Sequence, residues 1–414
     1  MMLCYLRKSV CTGLLAIAAY TAIAQSELPI TFQHEGYTLN GRLSLPASSP
    51  PYRAILIIPG SGANDKDGTI PLVGANSQCL YPGLYGDTLR PYLGLSQALT
   101  AAGYAVMTYD KLEYTYTLPP QVITFDKLWM PVRSAISWLK GRSDIDASHL
   151  ILLGHSEGSS LIPKAALEDL SVKALISLAG PRTPLDTMIA RQIVGIAQAC
   201  GGNVNDAQLT GNQIIDYGVL IRSGNYNNTT PPLFGVPAPV WEQYFHLVDS
   251  VAILYNMAQR KTLFIGLGDD LNVPIATELQ RFQQEITIPA DFYEIEGINH
   301  YLTSAQHPEV AKVLTDTIIT WLNSALPPVS VMAMEEGQLA GISCFYQEGS
   351  LWVENNQGKL GWVELYNASG KRLYREKVQK SKHKIPIAAY PSGMYLVKIH
   401  ASHASHRVFK VMHW

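Results

Sequence analysis

The sequence predicts a doubly wound, mostly parallel α/β sheet with a helical cap insertion, followed by a small antiparallel β-sandwich. Three observations predict this fold class. Short apolar runs alternate with helical stretches over most of the chain. About eighty residues between Gly180 and Lys261 interrupt that alternation. Beyond Leu326-Pro327-Pro328-Val329, short alternating strands separated by turn residues replace it.

The apolar runs have the composition of strands that are buried on both faces of a parallel sheet. Each is short, rich in β-branched residues or leucine, and bounded by Gly, Asp or Pro. An opening hairpin precedes them, with strands at 29–33 and 37–45 around the turn Glu35-Gly36. The predicted parallel strands are 54–58, 104–109, 150–153, 173–178 and 262–267, and a further strand is predicted at 291–295.

Apolar residues at helical spacing occupy the segments between these strands. The last predicted helix begins at Pro308, since proline is tolerated at a first helical position. The alternation of strand and helix favours βαβ units and therefore a doubly wound sheet. The predicted helices are 93–102, 127–139, 160–170, 274–285 and 308–325.

The insertion at about 182–260 is predicted to form a cap over the edge of the sheet. A structureless loop of this length is improbable inside a compact domain. Residues 186–199 have a helical pattern, and Gly- and Pro-rich loops are expected after them. Six aromatic residues either line a pocket or hold the cap together, and the second role is favoured for any one of them. They are Tyr217, Tyr226, Phe234, Trp241, Tyr244 and Phe245.

Composition excludes several classes of protein. With 47% hydrophobic and 15% charged residues, the 414-residue chain is globular and has material for a large core. A formal net charge of -2 argues against a nucleic-acid surface, so the expected partners are small molecules.

Residues 1–24 are predicted to be a cleaved signal peptide. The positive pair Arg7-Lys8 precedes an apolar stretch that ends near Ala19, and Ala22-Ile23-Ala24 supplies a cleavage site. The apolar stretch is shorter than the roughly 20 residues that a bilayer requires. No later segment is long and apolar enough to span a membrane, so the mature chain is expected outside the cytoplasm without an anchor.

Cleavage would leave three cysteines, Cys79, Cys200 and Cys344, in an oxidising compartment. Three cysteines are compatible with two arrangements. Either Cys79 and Cys200 form a disulfide, or all three are buried thiols. No pair has the CxxC or histidine spacing of a zinc site, so no metal is expected.

The segment Gly154-His155-Ser156-Glu157-Gly158 matches the GxSxG nucleophile elbow. A serine hydroxyl attacks a carbonyl only when it is exposed, aligned and next to a base. A sharp turn between strand and helix exposes it, and the two glycines allow the helix to approach closely. Because the motif lies between a predicted strand and a predicted helix, Ser156 is the predicted nucleophile. A buried structural turn is the less favoured interpretation, and the adjacent His155 is interpreted as a packing residue.

Serine hydrolases of this kind place the acid and then the histidine after the nucleophile in the chain. Both are expected in loops at the carboxyl ends of strands. Asp270 is preferred as the acid over Asp269, which fits a role as a turn residue. His300 is the predicted base. Its rival His307 precedes Pro308 at a predicted helix start and is expected at the surface.

The loop Pro59-Gly60-Ser61-Gly62 follows the first parallel strand. Backbone N–H groups of Ser61 and Glu157 are the predicted oxyanion hole, in which one donor typically contributes about 3 kcal/mol to transition-state stabilisation. The loop lacks the GxGxxG and GxxxxGK[ST] spacings of nucleotide sites, so no cofactor is expected.

The region from about residue 29 to 325 resembles the bacterial α/β-hydrolase carboxylesterases that are grouped with serine-aminopeptidase-like hydrolases. The resemblance implies a helical cap, hydrolysis of small-molecule esters with short acyl chains, and no cofactor. The chain departs from the family after Lys111, where Leu112-Glu113-Tyr114 replaces the usual Arg-Gly. The resemblance depends on residues 60–68, Tyr109-Asp110-Lys111, the elbow, Asp270 with Val273-Pro274, and Asn299-His300.

The tail resembles a type IX secretion C-terminal sorting domain. The matching segments are 363–371, 391–399 and a closing basic and apolar strand at 407–412. The resemblance implies that 327–414 is a removable address for the outer-membrane secretion machinery of a Gram-negative bacterium. The hydrolase domain is then expected at 25–326, and the protein at the cell surface or outside the cell.

Three functions fit these residues. The favoured one is a serine esterase that acts through an acyl-enzyme on Ser156. A serine peptidase on the same fold would use the same machinery, and an exopeptidase would also need a carboxylate for a free amino terminus. A surface binding module without catalysis is disfavoured by the complete Ser, Asp and His set. The candidate carboxylates in the cap are Asp206, Asp216 and Glu242.

Overall fold

The computed structural model describes residues 25–326, 331–334, 341–347, 350–356, 358–367, 371–390, 393–402 and 405–413. The first of these ranges contains a sheet of eight strands. They are β1 (Ser26–His34), β2 (Tyr37–Leu45), β3 (Tyr52–Ile58), β4 (Ala105–Tyr109), β5 (Ile145–His155), β6 (Val172–Leu178), β7 (Lys261–Leu267) and β8 (Ala290–Ile295).

The strands lie in the order β1-β2-β4-β3-β5-β6-β7-β8. The first two pairs, β1 with β2 and β2 with β4, are antiparallel, and the remaining neighbours are parallel. Helices follow most of the parallel strands and cover both faces of the sheet. This is the α/β-hydrolase fold, so the predicted fold class is confirmed.

Alternate residues of the central strands enter two separate cores, because successive side chains of a strand point to opposite faces. In β3, Leu56 and Ile58 belong to one cluster and Ile55 and Ile57 to the other. The helices are α1 (Ala75–Leu80), α2 (Pro91–Ala101), α3 (Leu112–Thr115), α4 (Phe125–Trp129), α5 (Pro131–Lys140), α6 (Glu157–Glu168), α7 (Leu185–Ala199), α8 (Val204–Arg222), α9 (Ala238–Asp249), α10 (Val251–Ala258), α11 (Leu279–Glu285) and α12 (Lys312–Ala325).

Three predicted helices differ from the observed ones. The helix predicted at 127–139 is two helices, because Pro131 starts α5 and lacks the N–H that would continue α4. The helix predicted at 274–285 is helical only in α11, and turns precede it. The closing helix begins at Lys312, since Val310 forms a bridge with Thr303 and the chain before the helix is extended.

The insertion between β6 and β7 contains α7, α8, α9 and α10, which agrees with the predicted cap. The prediction of loops after the first cap helix is wrong in part, because 19 of those residues form the helix α8. Its glycines allow helices to approach closely. Gly211 lies against Ala190, and a Cβ on Gly218 would collide with the Asp186 carboxylate. That same carboxylate accepts a hydrogen bond of 2.6 Å from Arg222 at the end of α8.

A disulfide joins Cys79 in α1 to Cys200, the residue that ends α7. It closes a separation of 121 residues and ties the cap to the segment after β3. Cys344 is a buried free thiol. Of the two possibilities that the cysteine count allows, the structure therefore has the disulfide.

We expect the double variant Cys79→Ser/Cys200→Ser to melt several degrees below the wild type. Removing a native disulfide typically costs about 2–5 kcal/mol, and a long closed loop is at the upper end in the chain-entropy model. The measurement is Tm by differential scanning calorimetry, with and without dithiothreitol. The reductant should lower the Tm of the wild type and leave that of the double variant unchanged. Equal Tm values for the two proteins under oxidising conditions would contradict the expectation.

The C-terminal part consists of two antiparallel sheets. Its strands are β9 (Val331–Met334), β10 (Ile342–Gln347), β11 (Ser350–Asn355), β12 (Gly361–Asn367), β13 (Arg372–Val378), β14 (Lys382–Ile385), β15 (Gly393–Ser402) and β16 (Ser405–His413). The sheets have the orders β9-β16-β15-β12-β13 and β10-β11-β14, and both contribute to one apolar core, as in the predicted β-sandwich. The predicted boundary at 327–329 and the signal peptide lie outside the described residues.

Candidate active site

Ser156 lies on the sharp turn between β5 and α6 and is partly exposed. Its backbone has φ 51° and ψ -120°, a strained conformation for a residue with a side chain. Neither glycine of the motif has room for a side chain. A Cβ on Gly154 would lie 2.5 Å from the backbone of Gly158, and one on Gly158 would collide with the carbonyl oxygen of Ile58. The predicted elbow geometry is therefore present.

Asp270 and His300 are joined by a hydrogen bond of 2.7 Å. A carboxylate only accepts, so Nδ1–H of His300 donates to Oδ2 of Asp270. The Asp270 side chain is buried, and its other oxygen accepts hydrogen bonds from the N–H groups of Asn272 and Val273. Burial would raise the pKa of Asp270, but His300 and the two backbone donors lower it below its ordinary value. The carboxylate is thus charged and holds one tautomer of the imidazole.

The rivals of these two residues lie elsewhere. Asp269 is exposed, and its N–H donates to the carbonyl of Ile298. His307 is also exposed, as the sequence predicts. The side chain of Asn299 shapes the histidine loop, because it accepts a hydrogen bond from the N–H of Tyr301 at 2.9 Å.

His155 packs under the histidine loop and also forms hydrogen bonds. Its ring centroid lies 4.9 Å from that of His300, whose carbonyl accepts a hydrogen bond from His155 Nε2–H at 3.0 Å. Burial and the neighbouring His300 lower the pKa of His155 to about 3, so the ring is neutral. Nδ1 then accepts the Tyr92 hydroxyl proton at 3.0 Å. This chain of contacts holds the His300 backbone next to the elbow. Among the hydrogen bonds of the described residues, the His300 ring is joined to Asp270 and not to the Ser156 hydroxyl.

The two predicted oxyanion donors, Ser61 and Glu157, line the same cavity as Ser156. Ser61 follows Gly60, whose Cβ position is 3.3 Å from the Cβ of Ser156. Within the described ranges, the Ser61 N–H has no protein acceptor. Glu157 opens α6, where helix geometry leaves the N–H groups of the first turn without intrahelical acceptors. Two backbone donors are therefore available beside the serine.

A cavity of about 630 Å³ opens above the elbow. Ser61, Ser156 and Glu157 are in its wall. Phe234, Trp241 and Tyr244 of the cap line it as well, whereas the other three aromatic residues singled out in the cap do not. The size is in the range of small-molecule sites, which is about 300–1,000 Å³. Apolar residues that complete the wall include Leu118, Ile123, Leu128, Leu185, Met188 and Val236.

Several residues of the cavity wall carry polar groups that the sequence did not assign to the site, and three of them contact Glu157 or each other. These three are Lys111, Glu113 and Trp129. Lys111 lies just after the carboxyl end of the buried strand β4, and ligands bind at the carboxyl ends of the strands in folds of this kind. Its position in the sequence could therefore have indicated that it belongs to the site. Trp129 stacks on Tyr244 of the cap with ring centroids 4.2 Å apart, a contact that only the folded structure defines.

The C-terminal residues 348–412 match the family model described as the secretion system C-terminal sorting domain. The predicted sorting domain is thereby confirmed. It directs the protein by type IX secretion to the cell surface or to the outside of the cell. Among the described residues, no helix is long and apolar enough to cross a membrane.

The esterase EstD of Thermotoga maritima is 28% identical to this chain over 169 residues. The match covers 40% of this chain and 36% of that enzyme, so the chain spans about a third of this relative's length. The match shows a likeness over part of an esterase sequence.

Two solved structures are similar to most of the chain. Est1E from Butyrivibrio proteoclasticus has a TM-score of 0.46 and 15% identity, with 72% of this chain and 99% of that chain covered. The α/β hydrolase GrgF from Penicillium sp. sh18 has a TM-score of 0.47 and 15% identity, with 73% and 99% covered. At these values the similarities assign no substrate.

Proposed function

We propose that the protein is a serine hydrolase that cleaves carboxylic esters with short acyl chains through an acyl-enzyme on Ser156. One observation carries the proposal. A histidine held by a buried carboxylate at 2.7 Å packs against His155, the residue next to a serine on a strained elbow. The partial similarity to an esterase supports the same chemistry.

In this reaction His300 accepts the Ser156 proton while Oγ attacks the ester carbonyl. The negative charge on the carbonyl oxygen is stabilised by the N–H groups of Ser61 and Glu157. Collapse of the tetrahedral intermediate expels the alcohol, which receives the proton from His300. Water then attacks the acyl-enzyme while His300 accepts its proton. Collapse of the second intermediate releases the carboxylic acid, and His300 returns the proton to Ser156. Asp270 stabilises the imidazolium each time it forms.

The positions of the candidate carboxylates favour ester hydrolysis over exopeptidase activity, and the two glutamates that do line the cavity, Glu113 and Glu157, are paired with Lys111. None of Asp206, Asp216 and Glu242 lines the cavity. Asp206 instead accepts a hydrogen bond from Asn203, and Glu242 accepts one from Tyr226. Asp206 and Glu242 are therefore engaged elsewhere in the cap, and Asp216 is exposed outside the cavity wall.

We expect p-nitrophenyl esters to be hydrolysed with a kcat/KM at least about tenfold above that of aminoacyl p-nitroanilides, a difference of about 1.4 kcal/mol in activation free energy. Both substrate series are followed by absorbance of the released chromophore, with acyl chains from acetyl to hexanoyl. The Ser156→Ala variant is the blank for each substrate. Anilide turnover equal to or above ester turnover would favour the peptidase, and no turnover of either would favour a binding module.

We further propose the domain limits 1–24 for the signal peptide, 25–326 for the hydrolase domain and 327–414 for the sorting domain. The separate apolar cores of the sheet and of the β-sandwich support the division, since the two have no residue in common. In this proposal the tail is recognised by the outer-membrane secretion machinery and the substrate is a small-molecule ester.

A further inference from the structure

Lys111 is a buried cation with two hydrogen-bond acceptors and a further ion-pair partner. It donates to the carbonyl oxygen of Gly60 at 3.1 Å and to Oε2 of Glu157 at 2.9 Å, and it forms an ion pair with the carboxylate of Glu113 at 2.9 Å. Only 7% of its side chain is exposed. Burial would lower the pKa of Lys111, but the carboxylates of Glu157 and Glu113 raise it above its ordinary value. The ammonium is therefore charged throughout the physiological pH range.

The first contact holds the orientation of the Gly60–Ser61 peptide, together with a hydrogen bond of 3.1 Å from Asn64 Nδ2 to the same oxygen. This peptide is trans, and the C=O and N–H of a planar trans peptide point in opposite directions. A hydrogen bond from Lys111 to the Gly60 oxygen therefore aims the Ser61 N–H to the opposite side. The neighbouring peptide is held as well, because the N–H of Gly60 donates to the Tyr92 hydroxyl at 2.8 Å.

The second contact holds the other donor residue. Besides Lys111, the Glu157 carboxylate accepts a hydrogen bond from Trp129 Nε1 at 3.1 Å. These two donors come from the end of β4 and from α4, and Tyr244 of the cap helix α9 stacks on the Trp129 ring. The side chain of the residue that opens α6 is thus held by donors from two elements.

We propose that Lys111 is the positioning residue of the oxyanion hole, linking the peptide that presents the Ser61 N–H to the residue that presents the Glu157 N–H. This inference rests on the proposed serine hydrolase function. The Lys111 ammonium at the Gly60 oxygen also polarises the Gly60–Ser61 peptide, and this makes the Ser61 N–H a stronger hydrogen-bond donor. An oxyanion is present only during acyl transfer. Lys111 is therefore expected to stabilise the transition state and to leave the affinity for substrate unchanged.

The test is the Lys111→Met variant, which keeps an unbranched side chain of similar length and removes the ammonium. With a p-nitrophenyl ester we expect kcat to fall by roughly 10²-fold, the lower end of the loss for one oxyanion donor. KM should stay within about threefold of the wild-type value, since the contacts that bind the substrate before the reaction are unchanged. Lys111→Arg should recover part of the lost kcat, because it restores a cation that can donate to the same oxygens.

Lys66→Met is the matched control. Lys66 lies on the same loop as Ser61, and its ammonium is 3.6 Å from Asp110, with 35% of the side chain exposed. Its removal takes away an equal charge without touching Gly60 or Glu157, so kcat should equal that of the wild type. An equal loss in both variants, or a loss in Lys111→Met that appears in KM alone, would overturn the proposal.

A second variant covers the case in which Lys111→Met does not fold. Glu157→Gln retains the backbone N–H and replaces a carboxylate that accepts hydrogen bonds from Lys111 and Trp129 by an amide with one acceptor oxygen. We expect a fall in kcat of about tenfold or more at unchanged KM, and wild-type kcat would overturn the proposal. If the wild type itself hydrolyses no ester, the proposed function fails. An active wild type with a fully active Lys111→Met rejects the role of Lys111 alone.

Discussion

Replacement of Ser156 by alanine is expected to lower kcat for ester hydrolysis by at least about 10⁴-fold, because no other group can form the acyl-enzyme. The substitution removes one oxygen and leaves the Cβ, so the elbow should keep its φ of 51° and the cavity its shape. The measurement is the release of p-nitrophenol from a short-chain ester under saturating substrate.

Ser160→Ala is the matched control for this variant. Ser160 lies one turn further along α6, and within the described residues its buried hydroxyl has no hydrogen-bond partner. Loss of an unpaired buried hydroxyl is close to neutral for stability, so kcat and Tm should match those of the wild type. Residual turnover in Ser156→Ala near that of Ser160→Ala would mean that another residue is the nucleophile.

The second large effect is expected for Asp270→Asn, which should lower kcat by about 10³- to 10⁴-fold. The amide has nearly the same shape as the carboxylate, and its oxygen can still accept from the N–H groups of Asn272 and Val273. Its NH₂ group, however, can donate to Nδ1 of His300 and stabilise the opposite tautomer. Nε2 then carries a proton and cannot accept that of Ser156.

Asp269→Asn is the control, since Asp269 is the adjacent acid and is exposed. It should leave kcat unchanged at every pH of the assay. Because the pKa of Asp270 lies below its ordinary value, that carboxylate is charged above about pH 4, and the contrast between the two variants should persist across the neutral range. A comparable loss in Asp269→Asn would contradict the assignment of the acid.

The site residues that the sequence could predict are those with local or ordered signals. The GxSxG spacing records a steric requirement, because a Cβ at Gly154 or Gly158 would collide with the backbone. Asp270 and His300 were predicted because each follows a predicted strand, in the order that serine hydrolases require. Both sets of signals depend on neighbours in the chain or on strand ends, which a single sequence displays.

The role of Lys111 could not be predicted in this way. Its acceptors are 51 and 46 residues away, on a loop and on a helix that meet only after the sheet is assembled. The helix α8 was missed for a related reason. Gly211 and Gly218 disfavour a helix by intrinsic propensity, and only packing against Ala190 and Asp186 of the neighbouring helix explains them.

The most direct test of the account is covalent labelling with a fluorophosphonate, which phosphonylates an activated serine hydroxyl. We expect stoichiometric labelling of the full-length protein, with the added mass on the peptide that contains Ser156 and no labelling of Ser156→Ala. Asp270→Asn should react far more slowly than Asp269→Asn. An unlabelled wild type, or an adduct on a different residue, would contradict the proposal that Ser156 is the nucleophile of a serine hydrolase.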